Sequence, residues 1–495
     1  MEDTGENIKS KAVKGVAWSF VGNSANRIIQ FVISLILARL LTPADYGLIG
    51  MIGVFMGLAN TFIDSGFSSA LIQYKDRSNV DYCTVFYVNF GMSLLMYGLL
   101  AVSAPWIADF YNEPRLVAII RVYCLTLIIG SLAAINGIIL TIDLNFKKGT
   151  IISTVSALLS AGVGLIFAFT GFGVWALVFQ QLAASLIRCV LLLYMSRWFP
   201  SLVFSIKSFK RLFSFGSKLL ASGLLHTVYS NLYPLIIGKK FSATDLGYVS
   251  RAQGFNDIIA SNLTSVLTSA AFPILSKIQD DDERLLRAYS GYIRMSAFTV
   301  FPLVLFLCGV AKPLILFLLT EKWAPSIPLM QILSFSYLWL GIVQINLNLL
   351  YVKGRSDLVF RLEIIKKSIA IGILIITTII GNLTIMCLGM TFYSFIALYL
   401  NTIYTKRLLN YGFMTQIKQI WPYLFYSLIV MAEGLLFSWL INNSMLALVV
   451  SSVVCATTYF VLCYVTKQYA LVQTVDIIAP KLGHFGQWLK GKVGN

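Results

Sequence analysis

The chain has 495 residues, of which 58% are hydrophobic and only 12% charged, with a formal net charge of +17 and a mean hydropathy of +0.80. A soluble protein of this length needs far more charge to cover its surface, so a water-soluble globular fold is excluded. The basic excess does not make a nucleic-acid-binding protein either, because lysines and arginines are scattered through short loops rather than gathered on one basic domain.

Apolar runs of about 20 residues, each enough to cross a hydrocarbon core of about 30 Å, recur from end to end. The sequence predicts an all-α polytopic membrane protein with about 14 transmembrane helices. The first six lie at roughly 16–38, 46–72, 82–108, 116–142, 150–171 and 173–196. The second six lie at roughly 212–238, 246–275, 290–319, 327–352, 358–380 and 382–404. Two more, at roughly 420–441 and 445–466, close the membrane part. The first is too long for a signal-peptide core and reads as an uncleaved span. The domain expectation is a six-helix lobe over 1–199, a second over 200–410, two extra helices over 411–466 and a basic cytoplasmic tail over 467–495.

The halves carry a faint internal repeat. Leu37-Ala38-Arg39-Leu40-Leu41-Thr42-Pro43-Ala44-Asp45-Tyr46-Gly47 aligns without a gap on Ile237-Gly238-Lys239-Lys240-Phe241-Ser242-Ala243-Thr244-Asp245-Leu246-Gly247. Asp45 meets Asp245, Gly47 meets Gly247 and Phe55 meets Phe255. The pairs 150–196 and 358–404 turn at Gly171-Phe172-Gly173 and Gly381-Asn382. Duplication is a common way to build transporters, and an even number of spans per half makes the copies parallel.

Lysine and arginine bias places both termini inside: Lys9, Lys11, Lys14, Lys75, Arg77, Lys147, Lys148, Arg197 and Lys207 fall on one side, with few basic residues on the other. The loop from Arg197 to Arg211 interleaves Trp198, Phe199, Phe204 and Phe209 with cations, and the tail sets Phe485, Trp488 and Leu489 among Lys481, Lys490 and Lys492. Both are expected to lie on the inner leaflet against anionic lipids.

No phosphate loop, metalloprotease helix or supported Ser–His–Asp set occurs, so an enzyme is not expected. The seven cysteines form no C-x-x-C pair and the two histidines are far apart, so neither a metal site nor a cofactor is expected. Chemistry is left to polar and ionisable residues within spans, which are costly in hydrocarbon and face a cavity or a partner. Arg27, near the middle of the first span with Asn26 and Gln30, and Arg251, followed by Asn256 and Asp257, are candidates for a cationic lining. His226 and Tyr229 stand at the repeat-equivalent place of the second half. The bland readings pair Arg27 with Asp64 and Arg251 with Asp257. Asp64 and Asp257 read as gating or packing ion pairs. Arg121, Arg188 and Arg294 are expected to snorkel to headgroups, Glu363 and Lys366 to pair at helical spacing, and Pro234, Pro302 and Pro313 to break helices.

Leu37–Gly47, Asp64-Ser65-Gly66, Ala70-Leu71-Ile72-Gln73 and the preceding Lys14-Gly15-Val16-Ala17-Trp18-Ser19 together resemble the opening of the Wzx-type polysaccharide transporters of the multidrug/oligosaccharidyl-lipid/polysaccharide (MOP) flippase superfamily. The resemblance implies two parallel lobes rocking around a central cavity in the bacterial cytoplasmic membrane. The cargo it implies is an undecaprenyl-pyrophosphate-linked oligosaccharide unit for lipopolysaccharide, capsule or exopolysaccharide. Arginines attract the pyrophosphate in relatives such as the lipid II flippase, and Arg27 and Arg251 are the similar positions here. Tyr229, Asn26, Gln30 and Asn256 would then meet sugar hydroxyls. Other polysaccharide-assembly membrane proteins are implied partners, and nucleic acid is not. The alternatives are a MATE-like exporter of cationic small molecules, which would want Asp64 or Asp257 in its cavity, and a non-transporting membrane scaffold.

Overall fold

The computed structural model describes residues 26–478. The basic termini and the start of the first expected span lie outside the described residues. What is described is helical, and no strand occurs among the described residues.

The first helix runs through residues 26–40 (α1). After it come α2 (Pro43–Asp64), α3 (Phe67–Gln73) and α4 (Asn79–Tyr111), then the short trio α5 (Leu116–Tyr123), α6 (Leu125–Leu132) and α7 (Ala134–Ile142). The segments α8 (Phe146–Phe169), α9 (Val174–Ser196) and α10 (Ile206–Lys240) follow. Beyond them lie α11 (Ala243–Lys277), α12 (Asp282–Gly309), α13 (Ala311–Leu319), a 3₁₀ turn at Glu321–Trp323, α14 (Ser326–Tyr337) and α15 (Leu340–Val352). The chain continues through α16 (Ser356–Ile380), α17 (Leu383–Leu409), α18 (Phe413–Leu440), α19 (Ser444–Val465) and α20 (Tyr469–Ile478).

Ten of these segments are long and apolar enough to cross a membrane, and an eleventh is the α5–α7 run, bent by 43°. The other three expected spans meet α1, α10 and α16. Polar residues from His226 to Asn231 dilute α10, and Arg361, Glu363, Lys366 and Lys367 charge the first turns of α16. The expected pair of Glu363 with Lys366 forms. The prolines behave differently from expectation. Helix α10 continues through Pro234 and α12 through Pro302, and only Pro313 stands beside a break, two residues into α13. In a membrane bundle neighbouring groups satisfy the carbonyl that proline frees, so the helix is kept.

Contacts divide the chain into two compact units, Met1–Gly247 and Tyr248–Asn495. Helix α10, which the repeat puts at the head of the second half, is grouped with the first. It packs antiparallel along α2 through small residues. A Cβ on Gly216 would lie 2.5 Å from the Ser65 carbonyl oxygen, and one on Gly223 would press on Thr61 at 3.2 Å. The hydroxyls of Thr61 and Thr227 meet at 3.0 Å. In membranes helices associate by van der Waals contact, so small residues that let backbones approach take the place of a hydrophobic drive.

Both copies of the repeated turn start a helix by the same device. Asp45 accepts from the Thr42 backbone N–H at 2.9 Å and from its hydroxyl at 2.7 Å, while the Thr42 hydroxyl accepts from the Asp45 N–H at 3.3 Å. Ser242 donates to Asp245 at 2.7 Å and accepts from its N–H at 3.0 Å. Such reciprocal caps satisfy orphan donors of the first turn.

The expected loop at 197–211 is helical from Ile206, where α10 begins; Trp198 and Phe209 pack into the first unit's core, and the Trp198 indole N–H donates to Asn79 at 2.9 Å. Phe199, Leu202, Phe204 and Ile206 remain exposed. The second unit is built around α12 and α18, which meet closely at Gly309 and Gly434. Its interior holds a polar knot: the Tyr289 hydroxyl donates to Asn346, Asn346 Nδ2 donates to Gln416 at 3.2 Å, and Gln416 Nε2 donates to Thr405 at 3.2 Å. The C-terminal α20 joins this core through Ala470, whose N–H donates to the Tyr423 hydroxyl at 3.2 Å.

Candidate functional site

Two polar cavities lie within the first unit. One, of about 450 Å³, is walled by α1, α8 and α9 with Tyr46 of α2, and its polar lining includes Gln30, Ser34, Ser153, Ser156, Ser160 and Gln180. The other, of about 430 Å³, is walled by α2, α3, α4, α6, α7 and α9, with Tyr123 at the end of α5, and includes Asn60, Asp64, Ser68, Asn89, Thr126 and Ser131. Both share one strip of α9: Gln181, Ser185 and Arg188. These three follow at spacings of four and three residues, so they form a single stripe.

The stripe explains why α9 is stable across a membrane. Leu186, Val190 and Tyr194 are exposed on the helix, about 100° to 180° around from Arg188 and Ser185, and suit lipid. The polar stripe, costly in hydrocarbon, faces the hollows. Arg188, expected among the headgroups, thus lines both cavities. The sequence held the signal, Gln-x-x-x-Ser-x-x-Arg along one helical face, but spacing alone does not say which face is lined.

Gln30 lines the first cavity. Asn26 beside it is buried and donates through Nδ2 to the cavity-lining Ser153 at 2.6 Å. Arg27 is exposed, on the same helical face as Gln30 and Ser34. Asp64 lines the second cavity and accepts a hydrogen bond from Ser68, with no ion pair to Arg27 among the described residues. His226 is exposed and Tyr229 half-buried on α10.

The expected residues of α11 fall in the second unit and are not all available to a ligand. Arg251 lies over the Trp323 ring, 5.4 Å from its centroid. Asn256 corrects the expectation of a sugar contact. It is fully buried, and its Nδ2 donates to the Ala252 carbonyl at 3.1 Å while its Oδ1 accepts from Ser334 at 3.0 Å, so its polar atoms are spent joining α11 to α14. Asp257 is exposed and accepts from Ser261 at 3.0 Å. Arg294 was expected to snorkel; instead it donates to Gln419 at 3.1 Å and stacks 4.5 Å over Tyr469. Glu433, which no sequence argument explained, accepts from Thr458 of α19 at 2.9 Å. A third cavity, of about 420 Å³, is apolar and lies between α11, α12, α18 and α19, with Phe298, Phe306, Tyr459 and Phe460 in its wall.

A family model described as "Polysaccharide biosynthesis protein" matches residues 36–328, more than half of the chain. The chain belongs to the polysaccharide biosynthesis protein family. It is similar to the teichuronic acid biosynthesis protein TuaB of Bacillus subtilis (strain 168), at 28% identity over 72% of this chain and 74% of that protein. It is also similar to the lipopolysaccharide biosynthesis protein WzxC of Escherichia coli (strain K12), at 24% identity over 84% of this chain and 85% of that one. Among solved structures it resembles the lipid II flippase MurJ in its inward closed conformation, with a TM-score of 0.73 and 15% identity, covering 91% of this chain and 98% of that one. The fold of this family member is therefore the all-α fold of a flippase, and the protein is an integral membrane protein.

Proposed function

We propose that this protein flips lipid-linked oligosaccharide units across the bacterial inner membrane by alternating access, for the assembly of a surface polysaccharide. The observation that carries this reading is the family match over residues 36–328, joined to polar hollows inside a transmembrane bundle. Serine hydroxyls and side-chain amides offer both donors and acceptors, as sugar hydroxyls require. The lipid is taken to be undecaprenyl pyrophosphate, and both termini to be cytoplasmic. The apolar cavity of the second unit suits an isoprenoid chain, while Phe199, Leu202 and Phe204 of the exposed loop suit anionic inner-leaflet lipid.

Arg27 is assigned to the pyrophosphate. A guanidinium stays charged and offers paired donors to phosphate oxygens. The test is transport in proteoliposomes of a short-chain polyprenyl-pyrophosphate oligosaccharide, comparing wild type with Arg27→Ala and Arg27→Lys. The alanine variant is expected to lose about tenfold or more in rate, as loss of a charge-assisted hydrogen bond implies, and the lysine variant to keep part of it. An unchanged rate in Arg27→Ala would remove Arg27 from the site. No movement by wild type, together with export of a cationic dye, would move the protein to the exporter branch of the fold.

A further inference from the structure

The segment between α9 and α10 is irregular, yet its backbone is held at four points by side chains of α4 and α7. Asn136 donates to the Trp198 carbonyl at 2.9 Å, and Tyr87 donates to the Ser201 carbonyl at 3.1 Å. In the other direction the Ser201 N–H donates to Cys83 Sγ at 3.3 Å and the Ser205 N–H to Thr84 Oγ1 at 3.1 Å. A segment pinned in this way keeps one shape, because those backbone groups have partners other than water. What it presents outward is apolar. Leu202 is 95% exposed, with Phe199, Phe204 and Ile206 exposed beside it. Single apolar residues on a surface are ordinary, but a fixed, contiguous ridge of large ones marks an interaction site.

Charge identifies the partner. From residue 197 to 244 the chain contains no acid. Arg211 is spent on Asp81, 2.9 Å away, whereas Arg197, Lys207 and Lys210 are exposed and have no carboxylate partner among the described residues. Ile206, Lys210 and Phe213 follow at spacings of four and three on α10, so apolar and cationic side chains share one helical face. The height in the bilayer agrees. Helix α9, a span, ends at Ser196, and the expected span within α10 begins at residue 212, so the ridge stands where hydrocarbon gives way to headgroups. We propose that this ridge is a preformed binding surface for anionic phospholipid of the inner leaflet, with its apolar side chains at the acyl boundary and Arg197, Lys207 and Lys210 on headgroup phosphates. The proposal takes the inside orientation from the preceding reading and deepens its lipid partner, and it does not depend on the cargo. Two copies of the chain meeting ridge to ridge would set like charges together, which disfavours a dimer at this face.

The test uses the full chain carrying Leu202→Cys, at a position exposed enough that packing is undisturbed. The thiol is labelled with a nitrobenzoxadiazole fluorophore, and the signal of equally treated wild type is subtracted. In proteoliposomes of mixed phosphatidylglycerol and phosphatidylcholine, lipids spin-labelled high on the acyl chain are expected to quench the fluorophore, and iodide on both sides of the membrane is not. At equal mole fraction, spin-labelled phosphatidylglycerol should quench more than spin-labelled phosphatidylcholine. Lys207→Gln and Lys210→Gln should each cut that preference, by up to about fivefold, as one lysine near an anionic surface implies. Quenching by iodide and not by lipid would put the ridge in water and overturn the proposal. Equal quenching by the two lipids, unmoved by the lysine substitutions, would overturn it as well, since the contact would then lack charge selection. Shielding from both quenchers would give the ridge to a protein partner, and loss of that shielding on dilution into more lipid would name a second copy of the chain. No arm requires transport, so a negative result leaves the transport reading standing, and a protein that moves no oligosaccharide can still pass.

Discussion

Gly47 of α2 lies so close to the carbonyl of Ala243 that a Cβ would overlap it, and Gly247 stands in the same relation to the carbonyl of Pro43. The two glycines are 200 positions apart in the chain and align in the repeat. The contact is therefore reciprocal, each of the two helix starts receiving the glycine of the other.

Substituting either glycine should force the two helix starts apart. Gly47→Ala and Gly247→Ala are expected to lose at least the roughly 1–3 kcal/mol of an overpacked core, because the obstructing atoms are backbone and cannot rotate away. Gly53→Ala, where nothing lies within 4 Å of the added atom, is the control. Thermal unfolding of the purified protein in detergent reads the difference. Equal melting temperatures for Gly47→Ala and Gly53→Ala would show that the helix starts are not in contact.

Asp81 and Arg211 carry a second prediction. The guanidinium stands 2.9 Å from Asp81 Oδ1, on a carboxylate only 2% exposed, whereas Asp76 is 3.9 Å from the same arginine and 83% exposed. The other oxygen of Asp81 caps α4 by accepting from the Ser78 N–H at 2.8 Å. Removing Arg211 leaves a buried charge uncompensated, so Arg211→Ala should cost up to about 3–5 kcal/mol, reduced by the partial exposure of the arginine. Asp76→Ala should cost less than about 1 kcal/mol, as exposed pairs do. The melting temperatures of the two variants decide it, and a larger loss for Asp76→Ala would reverse the assignment.

The cysteines report whether the second hollow holds water. All seven are buried and unbridged, but Cys189 alone among them stands in the wall of the second cavity. A small charged methanethiosulfonate reagent should therefore modify Cys189 well ahead of Cys83, Cys124, Cys308, Cys387, Cys455 and Cys463. Peptide mass mapping after a timed exposure gives the order. Preferential labelling at any of the other six would mean that water reaches the bundle by a different route.

Much of this molecule is written locally. An apolar run of membrane length must become a helix, because hydrocarbon offers no partner for an open backbone, and each of the 14 expected spans meets helix in the residues described. Thr42 with Asp45 and Ser242 with Asp245 are legible caps, since both partners sit three residues apart. Family resemblance, too, was carried by short contiguous stretches such as Leu37–Gly47.

The tertiary structure decided which polar residues face which way. Arg188 and Arg294 are chemically alike within their spans, yet one lines two hollows and the other is held by Gln419 and Tyr469. Asn256 and Gln30 are both amides within polar runs, yet the first is consumed by Ser334 and the second is free to line a cavity. Local spacing fixes the stripe of a helix that a side chain occupies. Whether that stripe meets lipid, a neighbouring helix or water depends on packing between segments distant in sequence.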